Sequence, residues 1–283
     1  MTEQQITPET ERWIIDRALA GDDPDSVVEA MLRSGWGQQQ AEAVVERVVQ
    51  DYLAKNARDT GLPAPVPVPT PVVMNGSAVI DLGDRQVQVL ANMLLPRVVV
   101  LGGFLSGEEC DGLIELARPR VARSTTVDDA RGGHVVHEHR TSSGTSFQRG
   151  QHALCATIEA RIARMLDWPV ENGEGLQVLR YGVGAEYRPH YDYFDPALPG
   201  GRAEMQRGGQ RVASLVMYLN TPECGGATTF PDVHFEVGAV RGNAVFFSYD
   251  RAHPMTRSLH GGAPVVAGEK WVATKWLRER AYR

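Results

Sequence analysis

Cysteine is scarce in this 283-residue chain, limited to the scattered Cys110, Cys155 and Cys224 with no Cys-x-x-Cys pair. So sparse and odd a count argues against a disulfide framework and for a reducing compartment. Runs of basic residues are absent, and the net charge is only −6, from 29 basic and 35 acidic residues. That balance argues against a nucleic-acid or anionic-membrane surface. No apolar stretch approaches the roughly 20 residues of a spanning helix. The opening Met-Thr-Glu-Gln-Gln lacks the basic and apolar regions of a signal peptide, so the expectation is a soluble, cytoplasmic protein. A composition that is 42% hydrophobic and 23% charged is globular and excludes a wholly disordered chain.

Proline, by contrast, is concentrated. Residues 63–71 read Pro-Ala-Pro-Val-Pro-Val-Pro-Thr-Pro, with proline at every second position. Such a run has no regular N–H donors and a fixed φ, so it forms neither helix nor central strand. It reads as an extended polyproline II spacer. The expected division is a helical bundle over 1–62, a proline-rich linker over 63–76 and a second domain over 77–283. In the first part, Trp13, Ile14 and Ala18, then Val27, Val28, Met31 and Leu32, then Val44, Val45, Val48, Val49 and Tyr52 recur at helical spacing. Breaks at Asp23-Pro24-Asp25 and Gly35-Trp36-Gly37 divide three short helices. Nothing there carries chemistry, and the bundle is assigned to protein interaction or self-association.

Beyond the linker, Arg97-Val98-Val99-Val100-Leu101 reads as a strand. Ser106 and Glu109 form a capping box for a helix running to about Arg118. A second helix is expected around 152–166, carrying Ile158, Ile162 and Met165. From about 175 the pattern is short strands and turns with no further helix. The fold class is therefore α+β, built on a jelly roll with supporting helices.

The densest chemical signal is Tyr187-Arg188-Pro189-His190-Tyr191-Asp192-Tyr193-Phe194. On a strand, His190 and Asp192 leave the same face, giving two ligands of a 2-His-1-carboxylate site for ferrous iron. A distant histidine must complete it, and His260 is the candidate. His253 is the lesser alternative, since Pro254 follows it directly. A 2-oxo acid on such a metal needs a cation for its far carboxylate. Lys270 shares strand parity with Trp276, whereas Lys275 has the opposite parity and is expected to face solvent. His134, His137 and His139 cluster in a Gly-rich stretch that reads as a polar loop rather than a second metal site.

These residues resemble the prolyl 4-hydroxylase branch of the 2-oxoglutarate/Fe(II) dioxygenases, in a bacterial-type form with an N-terminal helical extension. The resemblance spans about 96 to 281. It runs from Leu179-Arg180-Tyr181-Gly182 through Pro189–Phe194, Arg211-Val212-Ala213, Met217-Tyr218-Leu219-Asn220 and Gly225–Pro231 to His260 and Gly268-Glu269-Lys270-Trp271. It implies a double-stranded β-helix and the hydroxylation of peptidyl proline, with Fe(II), 2-oxoglutarate, O2 and L-ascorbate as cofactors. By resemblance, His190, Asp192 and His260 match the iron ligands, and Lys270 matches the anchor of the 2-oxoglutarate carboxylate. Tyr181 and Thr228 match its supporting donors, while Tyr187, Arg211 and Trp276 match the lining of the prolyl pocket. Arg140-Thr141-Ser142-Ser143-Gly144 is similar to a segment that folds over the peptide. Arg278 departs from the pattern, standing where animal and algal relatives often carry histidine, which bears on peptide choice. Two alternatives stay open: the same chemistry on a free amino acid or another side chain, and a non-catalytic adaptor.

Overall fold

A computed structural model describes residues 6–20, 22–71, 77–123, 126–127, 134–135 and 141–283. The chain divides into two compact units that meet between Pro65 and Val66. The first holds α1 (Pro8–Leu19), α2 (Pro24–Arg33) and α3 (Gln38–Thr60). The Thr7 hydroxyl caps α1 by accepting from the Thr10 N–H, and Pro8 occupies the first turn, where no donor is needed. Ile14, Val27, Met31, Ala41, Val45 and Val48 close a small core of their own. The third helix is longer than its valine pattern alone indicated and stops at Gly61, whose φ of 68° is the left-handed conformation that ends helices.

The boundary differs from the expected linker over 63–76. Val66–Pro71 belongs to the second unit, where the Val66 N–H donates to the Asp250 carbonyl at 2.7 Å and Pro69 and Pro71 are buried. Residues 72–76 lie outside the described residues.

In the second unit β1 (Val79–Asp81), β2 (Gln86–Met93) and β3 (Arg97–Gly102) precede α4 (Gly107–Ala117). The expected capping box starts that helix. The Ser106 hydroxyl accepts from Glu109 N–H at 3.0 Å, and the Glu109 carboxylate accepts from Ser106 N–H at 2.8 Å. Next come β4 (Ala122–Arg123), β5 (Thr126–Val127), β6 (His134–Val135), β7 (Ser143–Phe147) and α5 (Ala153–Leu166). The remainder is β8 (Leu176–Tyr181), β9 (Tyr187–His190), α6 (Pro199–Met205), β10 (Arg211–Tyr218), β11 (Cys224–Gly225), β12 (Thr228–Phe230), β13 (Phe235–Val237), β14 (Ala244–Ser248), β15 (His260–Gly262), β16 (Val265–Ala267) and β17 (Lys270–Arg278). The short helix α6 corrects the expectation of no helix after 175. Its Pro199-Gly200-Gly201 opening reads as a turn, but Gly201 packs so tightly on the Asp195 carbonyl that a Cβ would sit 2.1 Å from it.

Two antiparallel sheets form the double-stranded β-helix. The large one runs β1-β2-β3-β14-β10-β17-β8-β7-β4 and the small one β13-β12-β15-β9. Strand alternation sends alternate side chains of the large sheet to opposite faces. One set, including Val98, Val100, Leu179, Tyr218, Phe247 and Val272, packs toward the small sheet with Phe230 and Val237. The other, including Val99, Leu101, Leu215, Phe246 and Ala273, packs under α4 and α5. Both faces are therefore covered, and this reverses the expectation for Lys275. It has the predicted opposite parity to Lys270, but its face meets α5 rather than water. Lys275 is 2% exposed and its ammonium donates to Glu159 at 2.5 Å. Among the described residues no helix is long and apolar enough to cross a membrane.

Candidate active site and metal centre

Antiparallel pairing of β9 with β15 sets His190 directly opposite His260. Cross-strand partners share a face, so both imidazoles enter the space between the sheets, with ring centroids 4.4 Å apart. The strand expected to carry both His190 and Asp192 ends at His190, and Asp192 lies in the bend beyond it. What aims its carboxylate is not the pleat but the large sheet: the Ser214 hydroxyl of β10 donates to Asp192 Oδ2 at 2.5 Å, and Tyr249 Oη lies 3.0 Å from Ser214 Oγ. Each His Nε2 is 3.5 Å from an Asp192 oxygen. The three ligand atoms lie within 4.8 Å of one another.

Both imidazoles are oriented by their second nitrogen. His190 Nδ1 lies 2.9 Å from the Arg188 carbonyl, and His260 Nδ1 lies 3.0 Å from the Ser258 carbonyl. A carbonyl can only accept, so Nδ1 carries the hydrogen and Nε2 presents its lone pair inward. Burial pushes His260 down to about 4, so it is a neutral ligand near pH 7. Burial opposes ionisation of Asp192, but His260, His190 and Arg211 outweigh it and hold the carboxyl well below the usual range. Two imidazole Nε2 atoms and one carboxylate, converging on one point, fit Fe(II). His253 is engaged elsewhere: its Nδ1 accepts from the Met255 N–H within its own turn.

The cavity around these ligands is lined by Tyr181, Tyr187, Thr228, Lys270, Thr274 and Trp276 among others. Lys270 heads β17 opposite Tyr181 and is 4% exposed. Its ammonium lies 5.5 Å from the Tyr181 ring and 5.8 Å from the Tyr218 ring, with no carboxylate partner among the described residues. Burial pushes it down to about 8. Thr228 accepts a hydrogen bond from Tyr218 Oη at 2.8 Å, and its own hydroxyl hydrogen has no acceptor among the described residues. At the other end of the cavity Tyr187 stacks on His190 with ring centroids 3.6 Å apart, and Trp276 Nε1 is buried without a partner among the described residues.

Arg211 does not line the cavity, but its guanidinium stacks over Trp276 at 4.1 Å. Glu174 clamps it through two hydrogen bonds of 2.6 and 2.9 Å. Arg278, wholly buried, holds the same Glu174 carboxylate at 3.0 Å and donates to the Gly209 carbonyl at 2.8 Å. One buried anion is thus shared by two guanidiniums, both of which also cover the Phe194 ring. Of the segment 140–144, Thr141 latches onto Glu186 by exchanging backbone and hydroxyl hydrogen bonds, and Ser142 is buried. Arg140, His137 and His139 lie outside the described residues, as does the side chain of His134.

Four residues of this site escape the sequence reading: Ser214, Tyr218, Tyr249 and Glu174. The first two alternate with Val216 on β10 and so share its inward face, a parity signal that could have found them. Nothing local marks Glu174, whose partner Arg211 lies on a distant strand.

A model of the 2OG-Fe(II) oxygenase superfamily matches residues 176–278. Prolyl 4-hydroxylase 5 of Arabidopsis thaliana is 40% identical over 222 residues, covering 71% of this chain and 74% of the relative. Prolyl 4-hydroxylase 1 of the same plant is 42% identical over 206 residues, covering 66% and 70%. Among solved structures, the viral collagen prolyl hydroxylase of Paramecium Bursaria Chlorella virus-1, as its 2OG complex, is 32% identical. That match has a TM-score of 0.49 and covers 64% of this chain and 95% of that one.

Proposed function

We propose, for a chain that belongs to the 2-oxoglutarate/Fe(II) oxygenase superfamily and within it to the prolyl 4-hydroxylase branch, that it hydroxylates proline in a peptide. The chain is an enzyme of the 2-oxoglutarate-dependent dioxygenase class. The observation that carries the reading is a three-ligand cluster sharing one cavity with a buried lysine that has no anionic partner among the described residues.

His190 Nε2, Asp192 and His260 Nε2 would hold the iron. Bound iron supplies the redox chemistry that couples O2 and 2-oxoglutarate to oxidation of an unactivated C–H bond, with succinate and CO2 as coproducts. The protein does the rest. Lys270 pairs with the far carboxylate of 2-oxoglutarate, and Thr228 and Tyr181 donate hydroxyl hydrogens to it. Tyr187 and Trp276 take the prolyl ring between aromatic faces. The unpartnered Trp276 N–H offers a donor to a peptide carbonyl. Arg211, fixed by Glu174, backs the Trp276 ring and holds it in place. L-ascorbate is the expected reductant for iron oxidised in turnovers that proceed without peptide. The test is a short proline-rich peptide incubated with the full chain, Fe(II), 2-oxoglutarate and ascorbate. One oxygen per modified proline, matched by succinate, supports the reading. Succinate without oxygen on any proline overturns it.

Arg278→His should weaken peptide binding selectively. It removes the buried ion pair to Glu174, which fixes Arg211, and the guanidinium hydrogen bonds to the Gly209 and Glu204 carbonyls, each worth about 1.5–3 kcal/mol. Peptide KM should rise at least about tenfold, with peptide-independent 2-oxoglutarate turnover unchanged. The loss should shrink as pH falls and the imidazole gains a proton. A pH-independent loss would place the effect elsewhere.

Residues 1–65 contain no histidine or cysteine and form their own core, which supports a role in partner choice or self-association. A chain starting at Val66 should keep its iron and turn over a short peptide at the full-length rate. Loss of iron on truncation would show that the bundle completes the catalytic unit.

A further inference from the structure

The proline-rich run has the chemistry of the proposed substrate, and its second half is attached beside the active site. The attachment is at Val66, whose N–H donates to the Asp250 carbonyl at 2.7 Å. Asp250 follows Tyr249. The Tyr249 N–H donates to the carbonyl of Val212, next to Arg211, and its hydroxyl lies 3.0 Å from Ser214 Oγ. Ser214 in turn donates to the iron-binding Asp192 at 2.5 Å. The run is thus fastened one tyrosine side chain and two hydrogen bonds from the metal-binding carboxylate. It sits at the sheet end that carries Arg211 and, opposite Ser214, Trp276. Pro67, the residue after the attachment, is exposed, whereas Pro69 and Pro71 are buried.

The geometry points to Pro67 as a substrate of the chain's own active site. This rests on the reading of that site as a peptidyl-proline hydroxylase. Alternating prolines leave the run few N–H groups with which to join a strand ladder. Lifting the run breaks the Val66 hydrogen bond, which nets only about 1 kcal/mol, and exposes Pro69 and Pro71, so entry is a local opening of this segment rather than of the fold. Pro67 stands twelve residues before Val79, the start of β1, a contour of about 40 Å when extended. Alternating prolines favour polyproline II, so little ordering entropy opposes entry of the run into a cleft. A tethered segment also meets its own site at an effective concentration on the order of millimolar, far above that of dilute free peptide.

The reaction balances with the cosubstrates of the proposed activity. A ring C–H bond of Pro67 breaks and a C–O bond forms. One atom of O2 enters the hydroxyl and the other enters succinate. Decarboxylation of 2-oxoglutarate supplies two of the four electrons that reduce O2, and the C–H bond supplies the other two.

The test uses the full chain, incubated in air with Fe(II), 2-oxoglutarate and ascorbate but no peptide, then digested and sequenced by tandem mass spectrometry. A synthetic peptide of residues 62–72 is run alongside. The expected result is one added oxygen on Pro67, absent from an Asp192→Ala chain, at a rate per molecule unchanged by tenfold dilution. An oxygen on the synthetic peptide but none on Pro67 of the chain overturns the inference and leaves the proposed function standing. No oxygen on the chain, on this peptide or on any other proline peptide overturns both. A rate that falls in proportion to dilution overturns the tethered reaction, since modification would then pass between molecules.

Discussion

A His190→Ala chain is expected to form no detectable succinate and to retain no stoichiometric iron. Among the described residues its ring supplies one of three protein atoms that converge on the metal position. With one lost, two of the three ligands remain. Removing a group that merely orients a ligand costs about 10–100-fold in metal affinity or activity, so loss of the ligand itself should exceed about 100-fold. Ser214→Ala provides the internal scale. Its hydroxyl donates to Asp192 at 2.5 Å without reaching the metal position, so it should fall within the 10–100-fold range. Both readouts, iron content of the isolated chain and succinate formed from 2-oxoglutarate, are made on the same preparations. Full iron loading and turnover in His190→Ala would discard the three-ligand assignment. Equal losses in the two variants would mean that Asp192 alone positions the metal.

How much of this site could be read in advance depended on where each residue's partner lies. The structure brings together His190, Asp192 and His260, which the sequence grouped by their chemistry, and sets Lys270 in the same cavity. The pleat separated Lys270 from Lys275 correctly, because parity is a local property of the backbone. It could not say what covers each face. The helix that covers Lys275 is α5, and the salt bridge to Glu159 joins residues 116 positions apart. Ser214 and Tyr218 sit within Val-Ala-Ser-Leu-Val-Met-Tyr-Leu, a run that reads as core strand and is core strand. Their polar atoms act only because the small sheet brings Asp192 and Thr228 against them. The proline run misled in the opposite way. Its composition describes a free spacer, yet Val66–Pro71 belongs to the second unit, with Pro69 and Pro71 buried and the Val66 N–H bonded to the Asp250 carbonyl far along the chain.

The second large effect belongs to Lys270, and Lys275 is its control. Lys270 is buried, lacks an anionic partner among the described residues and is pushed down to about 8 by that burial. A carboxylate arriving beside it gains a fully desolvated charge pair, and truncating one member of such a pair costs about 2–5 kcal/mol. Lys270→Ala should therefore raise the 2-oxoglutarate KM by a factor of about 30 to several thousand, at tenfold per 1.4 kcal/mol, while iron binding is spared. The pH dependence has a definite sign. Only the ammonium form attracts the carboxylate, and in the free enzyme it is lost as pH rises through about 8. The wild-type 2-oxoglutarate KM should climb above that pH, approaching tenfold per unit, and the Lys270→Ala chain should show no such climb. Lys275→Ala should do the reverse. It leaves Glu159 buried and unpaired on the helix-covered face, a loss of about 3–5 kcal/mol that lowers the unfolding midpoint. The 2-oxoglutarate KM of whatever remains folded should be unchanged. If instead Lys275→Ala raises that KM and Lys270→Ala only destabilises, the two faces of β17 have been assigned the wrong way round.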